Sequence, residues 1–290
     1  MELLCTLSKM SNLEKIVNSG CDGVIFGSAF SLRFNYNLEE MKIISEYCKS
    51  HDVKRYISID AMIFEDDRVT LYDYFDFLRR LKPDGIYFTD LGIVNIAKRV
   101  GLLSKLIYDP DTLMTNSVDA SFYLKQGIDV VLARELSFPE VFDIVKRLPN
   151  KVDMQVFGHL KMSYSKRQFL TNYFKHLDEE VNVSGKKTIR IVEENRNYSL
   201  PIVEDKYGTR IYSDYVLLMY NELAHLKSAI KRAIVEDSFV DINIVTDVIK
   251  DIRRLTEENS QFLTDALVNK YQDEEFSNGY LEIKTTKTKE

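Results

Sequence analysis

Short apolar runs alternate with amphipathic segments along most of the chain. The runs at residues 24–26, 56–59 and 86–88 have the length and the branched or aromatic composition of buried strands. Each is followed by a segment whose apolar positions recur at helical spacing, which predicts a strand–helix repeat. Seven such repeats, with an eighth candidate strand at residues 233–235, predict an α/β fold, a closed TIM-like (β/α)8 barrel.

The unit at residues 128–170 shows the pattern most clearly. Two apolar runs each end in polar residues, the first at Arg134-Glu135 and the second at Gly158-His159. Between them, Ser137 and Glu140 have capping-box spacing and Pro139 lies in the first helical turn, which predicts a helix start. In a parallel barrel the carboxyl ends of the strands meet at one mouth.

The regular repeat stops after Phe174. Alternating segments around the Asp205-Lys206-Tyr207-Gly208 turn predict a β-hairpin, so residues 175–213 form a β insertion after strand seven. We expect a helix to begin at Asp214. The predicted organisation is a barrel over residues 1–258 that includes this insertion, then a C-terminal helix and polar tail over residues 259–290.

Composition excludes several classes of protein. The chain is 45% hydrophobic with a net charge of −6, which argues against a basic surface spread over the whole molecule for nucleic acid. Its three widely spaced cysteines favour neither a disulfide framework nor a metal site. No apolar run is long enough for a membrane helix, and we expect a cytoplasmic protein without a membrane partner.

Charged side chains follow several of the predicted strands. Arg134, Glu135 and Glu236 are candidate catalytic residues, because an arginine and carboxylates at a barrel mouth can bind an anion and move protons. Asp60 and Asp90 end two other strands and are candidate substrate-binding residues, and Asp109 and Asp111 follow a further strand. The alternative is a ring of ion pairs that only satisfies buried charge at the rim.

His159 and the segment after it are a second candidate. His159 follows strand seven and is a candidate general base or ligand, or else a packing residue. Ser163, Tyr164, Lys166 and Arg167 combine hydroxyls, charge and an aromatic ring, which suits a phosphate or single-stranded nucleic acid. The alternative is a solvated basic helix whose aromatic side chains face inward.

The chain resembles the U32 proteins, historically called collagenase-like or U32 peptidases. The resemblance rests on several segments together. They are GCDGVIFGSAFSLRFNYNLEEM (20–41), PDGIYFTDLGIV (83–94), TNS (115–117), VLARELSFPEV (131–141), QVFGHLKMSYSKRQFLTNYF (155–174) and PIVEDKYGTRI (201–211).

The resemblance implies a TIM-like barrel and a role in hydroxylation. The chain is most similar to the smaller members of Gram-positive bacteria that support 5-hydroxylation of wobble uridine in tRNA. Those members require a prephenate-derived molecule. It implies tRNA as a partner and a prephenate-derived small molecule as a possible cosubstrate. A peptidase activity, or a non-catalytic barrel that pairs with a longer U32 protein, is the alternative. Lys161 and Gln168 replace cysteines that hold an iron–sulfur cluster in several branches, so no such cluster is expected.

Overall fold

The computed structural model describes residues 1–192, 194 and 198–283. The strands are β1 (Glu2–Thr6), β2 (Gly23–Phe26), β3 (Lys54–Ile59), β4 (Gly85–Phe88), β5 (Leu106–Tyr108), β6 (Asp129–Val131), β7 (Val152–Ser165), β8 (Arg190–Val192), β9 (Ser199–Asp205), β10 (Gly208–Leu218), β11 (Arg232–Val235) and β12 (Phe276–Ser277). The helices are α1 (Leu13–Asn18), α2 (Leu38–Ser50), α3 (Arg68–Leu81), α4 (Gly92–Arg99), α5 (Ser117–Lys125), α6 (Phe138–Arg147), α7 (Phe169–His176), α8 (Tyr220–Leu226), α9 (Ile242–Arg254) and α10 (Ser260–Lys270).

Eight parallel strands close into a ring. Strands β1 to β7 pair in sequence order, and β11 pairs in parallel with both β7 and β1. Their interior positions are filled by buried side chains, and the helices between them cover the outside. The predicted TIM-like barrel is confirmed.

Local sequence signals set several helix starts. The Asn37 side chain accepts hydrogen bonds from the backbone N–H groups of Glu39 and Glu40, at 3.0 and 2.9 Å, at the start of α2. The predicted capping box of Ser137 and Glu140 is present at the start of α6. Each cap satisfies amide donors that have no partner inside the helix, which fixes where the helix begins.

The β insertion extends the barrel wall. Strand β7 continues beyond the ring to Ser165, and its outer half pairs with β10 in antiparallel register. Strand β10 also pairs with β9, which confirms the predicted hairpin. Gly158 lies at the bend in β7 with a φ of +100°, and a Cβ there would lie 2.3 Å from the Glu236 carbonyl oxygen. Glycine therefore lets β7 pass close to the end of β11.

One sequence prediction is wrong here. The helix predicted from Asp214 does not begin there, because β10 continues to Leu218 beside β7 and α8 begins at Tyr220. In this segment strand pairing outweighs the local helical spacing of apolar residues.

The C-terminal segment returns to the barrel. Helix α10 lies in the predicted C-terminal segment, and β12 then pairs with β10 at Val216 and Leu217. The buried Leu281 offers its carbonyl oxygen to the Phe138 N–H at 2.8 Å. In the ranges described above, no helix combines the length and the apolar character needed to cross a membrane.

The amino-terminal end of the barrel contains a buried acid. The Tyr87 hydroxyl donates to Asp153 at 2.9 Å, and the Arg232 guanidinium lies 3.2 Å from the same carboxylate and also pairs with Asp129. Burial raises the pKa of Asp153 to about 7, against the opposing charge of Arg232. In barrels this end contributes to stability.

Candidate functional site

Eight buried or nearly buried charges meet at the carboxyl end of the barrel strands. We call them the mouth cluster, and its members are Arg33, Asp60, Asp109, Asp111, Arg134, Lys161, Arg210 and Glu236. Asp60, Asp109 and Glu236 each follow the last residue of a barrel strand. The geometry of the parallel barrel therefore brings together residues that are far apart in the chain, as the sequence predicts.

The first half of the mouth cluster is centred on Arg33. Its Nε lies 2.9 Å from Asp60 Oδ2, and its Nη1 lies 2.7 Å from Glu236 Oε2. Its Nη2 donates to the Ser58 hydroxyl at 2.7 Å. The guanidinium thus bridges two strand ends, and each of its three nitrogens has a partner.

Arg210 enters the same site from the hairpin. Its Nη1 lies 2.5 Å from Asp60 Oδ2, and its Nη2 donates to the Asp60 carbonyl oxygen at 2.8 Å. Its guanidinium lies 4.8 Å from the centre of the Tyr164 ring. Asp60 is therefore shared by one arginine from the β2–α2 loop and one from the insertion.

The second half of the cluster is centred on Asp109. Arg134 binds it in a bidentate pair, with both Nη–Oδ distances at 3.0 Å, and donates through Nε to Gln155 at 2.7 Å. The Lys161 ammonium lies 3.3 Å from Asp109 and also pairs with Asp111. Asp111 has a φ of +58°, a left-handed conformation that aspartate tolerates better than most residues.

Opposite charges determine the protonation of the cluster. Burial alone would raise the pKa of Asp60, but the guanidiniums of Arg210 and Arg33 hold it well below its usual range. Against the same effect of burial, Arg134 and Lys161 hold the pKa of Asp109 well below its usual range. Burial, and then the charge of Arg134, lowers the pKa of Lys161. Both aspartates are therefore ionised at neutral pH, in a cluster where four basic side chains face four acidic ones.

Glu135 does not join the mouth cluster. Among the described residues, no hydrogen bond or ion pair links its side chain to Arg134 or Glu236. It faces Tyr280 instead, where burial and then the Glu135 charge raise the pKa of the phenol. The expectation that Glu135 would meet Arg134 and Glu236 is wrong, because Arg134 and Glu135 lie in a turn after β6 and only Arg134 is directed at Asp109.

His159 and Asp90 also lie outside the cluster. The His159 Nδ1 lies 2.7 Å from the Ser213 carbonyl oxygen, its ring packs edge-on against Phe239, and burial lowers its pKa. A neutral imidazole in this position holds β7 to β10. Asp90 accepts hydrogen bonds from the N–H groups of Ile63 at 3.0 Å and Gly92 at 2.8 Å, so it fixes two loops.

The predicted nucleic-acid segment is divided between packing and surface positions. The Tyr164 hydroxyl donates to the Tyr207 carbonyl oxygen at 2.9 Å and accepts from the Met62 N–H at 3.0 Å. Lys166 donates to the Met62 carbonyl oxygen at 3.2 Å. Ser163 and Arg167 are exposed. Ser163 and Arg167 therefore face solvent, Lys166 is half-buried, and Tyr164 positions the hairpin.

Sequence reasoning missed Arg33 and Arg210. Arg33 has a sequence signal, because it is a single charge within the apolar loop of Phe30, Leu32 and Phe34, all of which are buried. An arginine in such a run requires a buried partner. Arg210 has no comparable signal, because only the register between β10 and β7 places it over Asp60.

A pocket of about 370 Å³ lies beside the cluster, between the β2–α2 loop and the hairpin. We call it the junction pocket. One wall contains Ser31, Phe34 and Asn35, and the other contains Asp205 and Lys206. Its polar and aromatic lining is of the kind that binds small ligands.

The cysteines do not fit an iron–sulfur cluster. Cys5, Cys21 and Cys48 are free and buried, and burial raises the pKa of Cys21 and Cys48 to about 12. Lys161 is occupied by its ion pairs with Asp109 and Asp111. Within the part of the chain that the structure describes, no group of three or more histidine, cysteine, aspartate or glutamate residues is arranged to hold a metal.

Two curated proteins named for tRNA hydroxylation are similar to this chain. The tRNA hydroxylation protein P2 of Bacillus subtilis is 27% identical over 79% of this chain and 76% of its own length. The tRNA hydroxylation protein P of Helicobacter pylori is 28% identical over 57% of this chain, and this chain spans only 40% of that protein.

A solved structure and a family model also match this chain. The solved structure of the U32 peptidase Mk0906 matches 81% of this chain and 92% of that chain with a TM-score of 0.50 and 14% identity, a likeness of fold alone. The profile described as Peptidase family U32 matches residues 8–290. The chain therefore belongs to peptidase family U32.

Proposed function

We propose that this protein supports the 5-hydroxylation of wobble uridine in tRNA. The observation that carries the proposal is the alignment with tRNA hydroxylation protein P2 over most of both chains. The substrate in this proposal is tRNA, and the protein would meet it in the cytoplasm.

The surface around α7 supports contact with RNA. Phe169 and Tyr173 are 47% and 57% exposed on this helix, and none of its residues is buried. Arg167 and Lys175 are exposed beside them. Exposed aromatic rings stack on unpaired bases, and neighbouring cations contact phosphates. Such a surface suits the single-stranded loop of a tRNA.

The mouth cluster supports binding of an anionic cosubstrate, for which we propose a prephenate-derived carboxylate. Asp111 is the more exposed of the two carboxylates in the second half, with 19% of its side chain exposed against 6% for Asp109. An incoming carboxylate that replaced Asp111 at Lys161 would keep the charge of the site balanced. Arg134 would then be an orienting group, since guanidinium binds carboxylates in a fixed geometry.

The proposed roles differ among the predicted catalytic residues. Arg134 and Glu236 lie in the cluster and are proposed to orient the cosubstrate and to stabilise charge. Glu135 and His159 do not contact it and are proposed only as supporting residues. We also propose that a longer U32 protein is a partner, because the described chain fits no iron–sulfur cluster of its own.

A peptidase activity finds less support in this geometry. Among the described residues, the mouth cluster has no serine or cysteine paired with a histidine, and His159 is bonded to a backbone carbonyl. A hydrolytic nucleophile needs a base within hydrogen-bond distance.

Deletion of the gene tests the proposal. Nucleosides derived from 5-hydroxyuridine are measured in total tRNA by mass spectrometry, with and without a plasmid copy of the gene. We expect their loss in the deletion strain and their return with the plasmid. Unchanged levels in a strain without a second U32 gene would contradict the proposal.

A further inference from the structure

The two walls of the junction pocket are held rigidly. Tyr207 is buried, with its ring centre 5.5 Å from that of Phe30 and its carbonyl oxygen bonded to Tyr164. Phe30 has a φ of +61°, a strained conformation for a bulky residue, and its neighbours hold it there. Strain of this kind is maintained where a loop must keep one shape.

Asp205 provides a hydrogen-bond acceptor in this pocket. Its Oδ1 accepts the Tyr207 N–H at 2.7 Å. Among the described residues, none donates to its Oδ2. Burial, and also the nearby charge of Asp60, raises the pKa of Asp205 to about 6, so the group is mostly ionised at pH 7. A half-buried carboxylate with a spare acceptor oxygen requires a donor from a ligand or from solvent.

Two residues with hydrogen-bond donors line the same pocket as Asp205. Lys206 lies on the same wall, with its ammonium 4.9 Å from the Tyr207 ring centre. The Asn35 amide, on the opposite wall, is exposed. Uracil presents one N–H donor between two carbonyl acceptors on its Watson–Crick edge. A pocket that offers both an acceptor and donors suits that edge, whereas cytosine presents an acceptor where uracil has its N–H.

Two lining residues, Tyr207 and Ser31, connect the pocket to the surface near α7 and to the mouth cluster. The Lys166 ammonium lies 5.7 Å from the Tyr207 ring centre, on the path from α7. On the inner side, the Ser31 side chain lines the pocket and accepts the N–H of Arg33, whose guanidinium lies 2.9 Å from Asp60. A base in the pocket would therefore reach the edge of the charged site while its phosphates stayed near surface lysines.

We propose that the junction pocket receives a uracil base turned out of an RNA loop, with Asp205 accepting its N3–H. This inference rests on the proposed function and names the place where the modified base is held. An enzyme acting on a base must take it out of its stack, and an unpaired loop makes this step inexpensive.

Fluorescence anisotropy of the full chain with an anticodon stem-loop tests the proposal. Three RNAs carry uridine, cytidine or an abasic site at the wobble position. We expect the uridine RNA to bind about tenfold more tightly than either of the others at pH 7.5, because cytidine and the abasic site leave the Asp205 acceptor without its N–H partner. The uridine preference over cytidine should shrink at pH 5.5, where Asp205 is protonated.

Asp205→Asn is expected to lose most of the preference for uridine over cytidine while still binding the stem-loop. Asp178→Asn, which removes an exposed carboxylate near α7, should keep the preference for uridine over cytidine. Equal affinity of the wild type for all three RNAs would overturn this inference and leave the proposed function standing. Failure of the wild type to bind any of the RNAs would overturn both.

Discussion

Arg210 and Asp60 form a buried ion pair at 2.5 Å although 150 residues separate them in the chain. The pair joins the hairpin to the carboxyl end of β3. A second link runs from the Lys187 ammonium to the Arg33 carbonyl oxygen at 3.0 Å. The insertion is therefore part of the wall of the mouth, and it contributes a charge to the site.

Loss of charge at Asp60 should destabilise the fold more than loss of Arg210. Asp60→Asn removes the anion that the buried Arg33 and Arg210 share. This loss is expected to lower the free energy of unfolding by about 3–5 kcal/mol. In Arg210→Met the carboxylate keeps Arg33, so the cost should be smaller. Urea denaturation followed by circular dichroism measures both.

The exposed pair of Lys42 and Glu39 is the control for these variants. Its side chains are 52% and 76% exposed, so Lys42→Met should change the free energy of unfolding by less than about 1 kcal/mol. If Asp60→Asn were as mild as Lys42→Met, the mouth cluster would not be the tightly coupled site described above.

Arg134→Lys should separate function from folding. Lysine keeps the positive charge beside Asp109 but loses the bidentate geometry and the bond to Gln155. We expect tRNA hydroxylation to fall at least tenfold while the thermal unfolding midpoint drops by only a few degrees, the shift that about 1 kcal/mol produces. Arg134→Ala is less informative, because it leaves the Asp109 carboxylate without its bidentate guanidinium partner.

A collapse of folding in Arg134→Lys, seen as loss of near-ultraviolet circular dichroism, would assign this residue to structure alone. Full activity would remove it from the site.

Stability should fall as pH rises from about 4 to 7 because of Asp153. Its pKa is about 7 in the folded chain and near its ordinary value of 3.8 when unfolded. The folded state therefore binds more protons in that window, and its stability declines through it. Asp153→Asn cannot ionise, so its stability relative to wild type should increase with pH by about 1 kcal/mol per unit.

Urea denaturation at pH 5, 6 and 7 measures this difference, with the exposed Asp143→Asn as the matched control. A constant difference between Asp153→Asn and wild type across the three values would show that Asp153 is already ionised in the folded protein.

Glu204 should control the order of α7. This buried carboxylate accepts the N–H groups of Leu170 at 2.6 Å and Thr171 at 2.9 Å. Glu204→Ala removes a helix cap worth about 1 kcal/mol, so amide exchange across α7 should quicken by about fivefold to tenfold. Hydrogen–deuterium exchange checks this, and Asn37→Ala, which uncaps α2, shows whether the effect stays local. Unchanged exchange in α7 would mean that the helix is held elsewhere.

Local patterns in the sequence are sufficient to predict the barrel. The strand–helix repeat, the caps at Asn37 and Ser137 and the hairpin turn at 205–208 depend on neighbouring residues, so they can be read from the chain directly. The false helix from Asp214 shows the limit. Val216 and Leu217 fit a helical face, yet they lie in β10 because β7 offers a partner strand.

The site was only partly predictable for the same reason. The carboxyl ends of parallel barrel strands meet at one mouth, and this alone predicted that Asp60, Arg134 and Glu236 lie together, although their contacts were not known. This geometry could not separate Glu135 from Arg134, because the direction of each side chain at a strand end depends on the bend of the backbone. Arg210 depends on the register of an insertion, which no local pattern specifies.

Complementation of the deletion strain tests the central claim most directly, since it asks whether the mouth cluster supports tRNA hydroxylation. Nucleosides derived from 5-hydroxyuridine are measured by mass spectrometry in strains that express equal amounts of wild type, Arg134→Lys, Glu236→Gln or Asp143→Asn. We predict that wild type and Asp143→Asn restore the modification and that the two cluster variants do not. Full restoration by Arg134→Lys and Glu236→Gln would contradict the account.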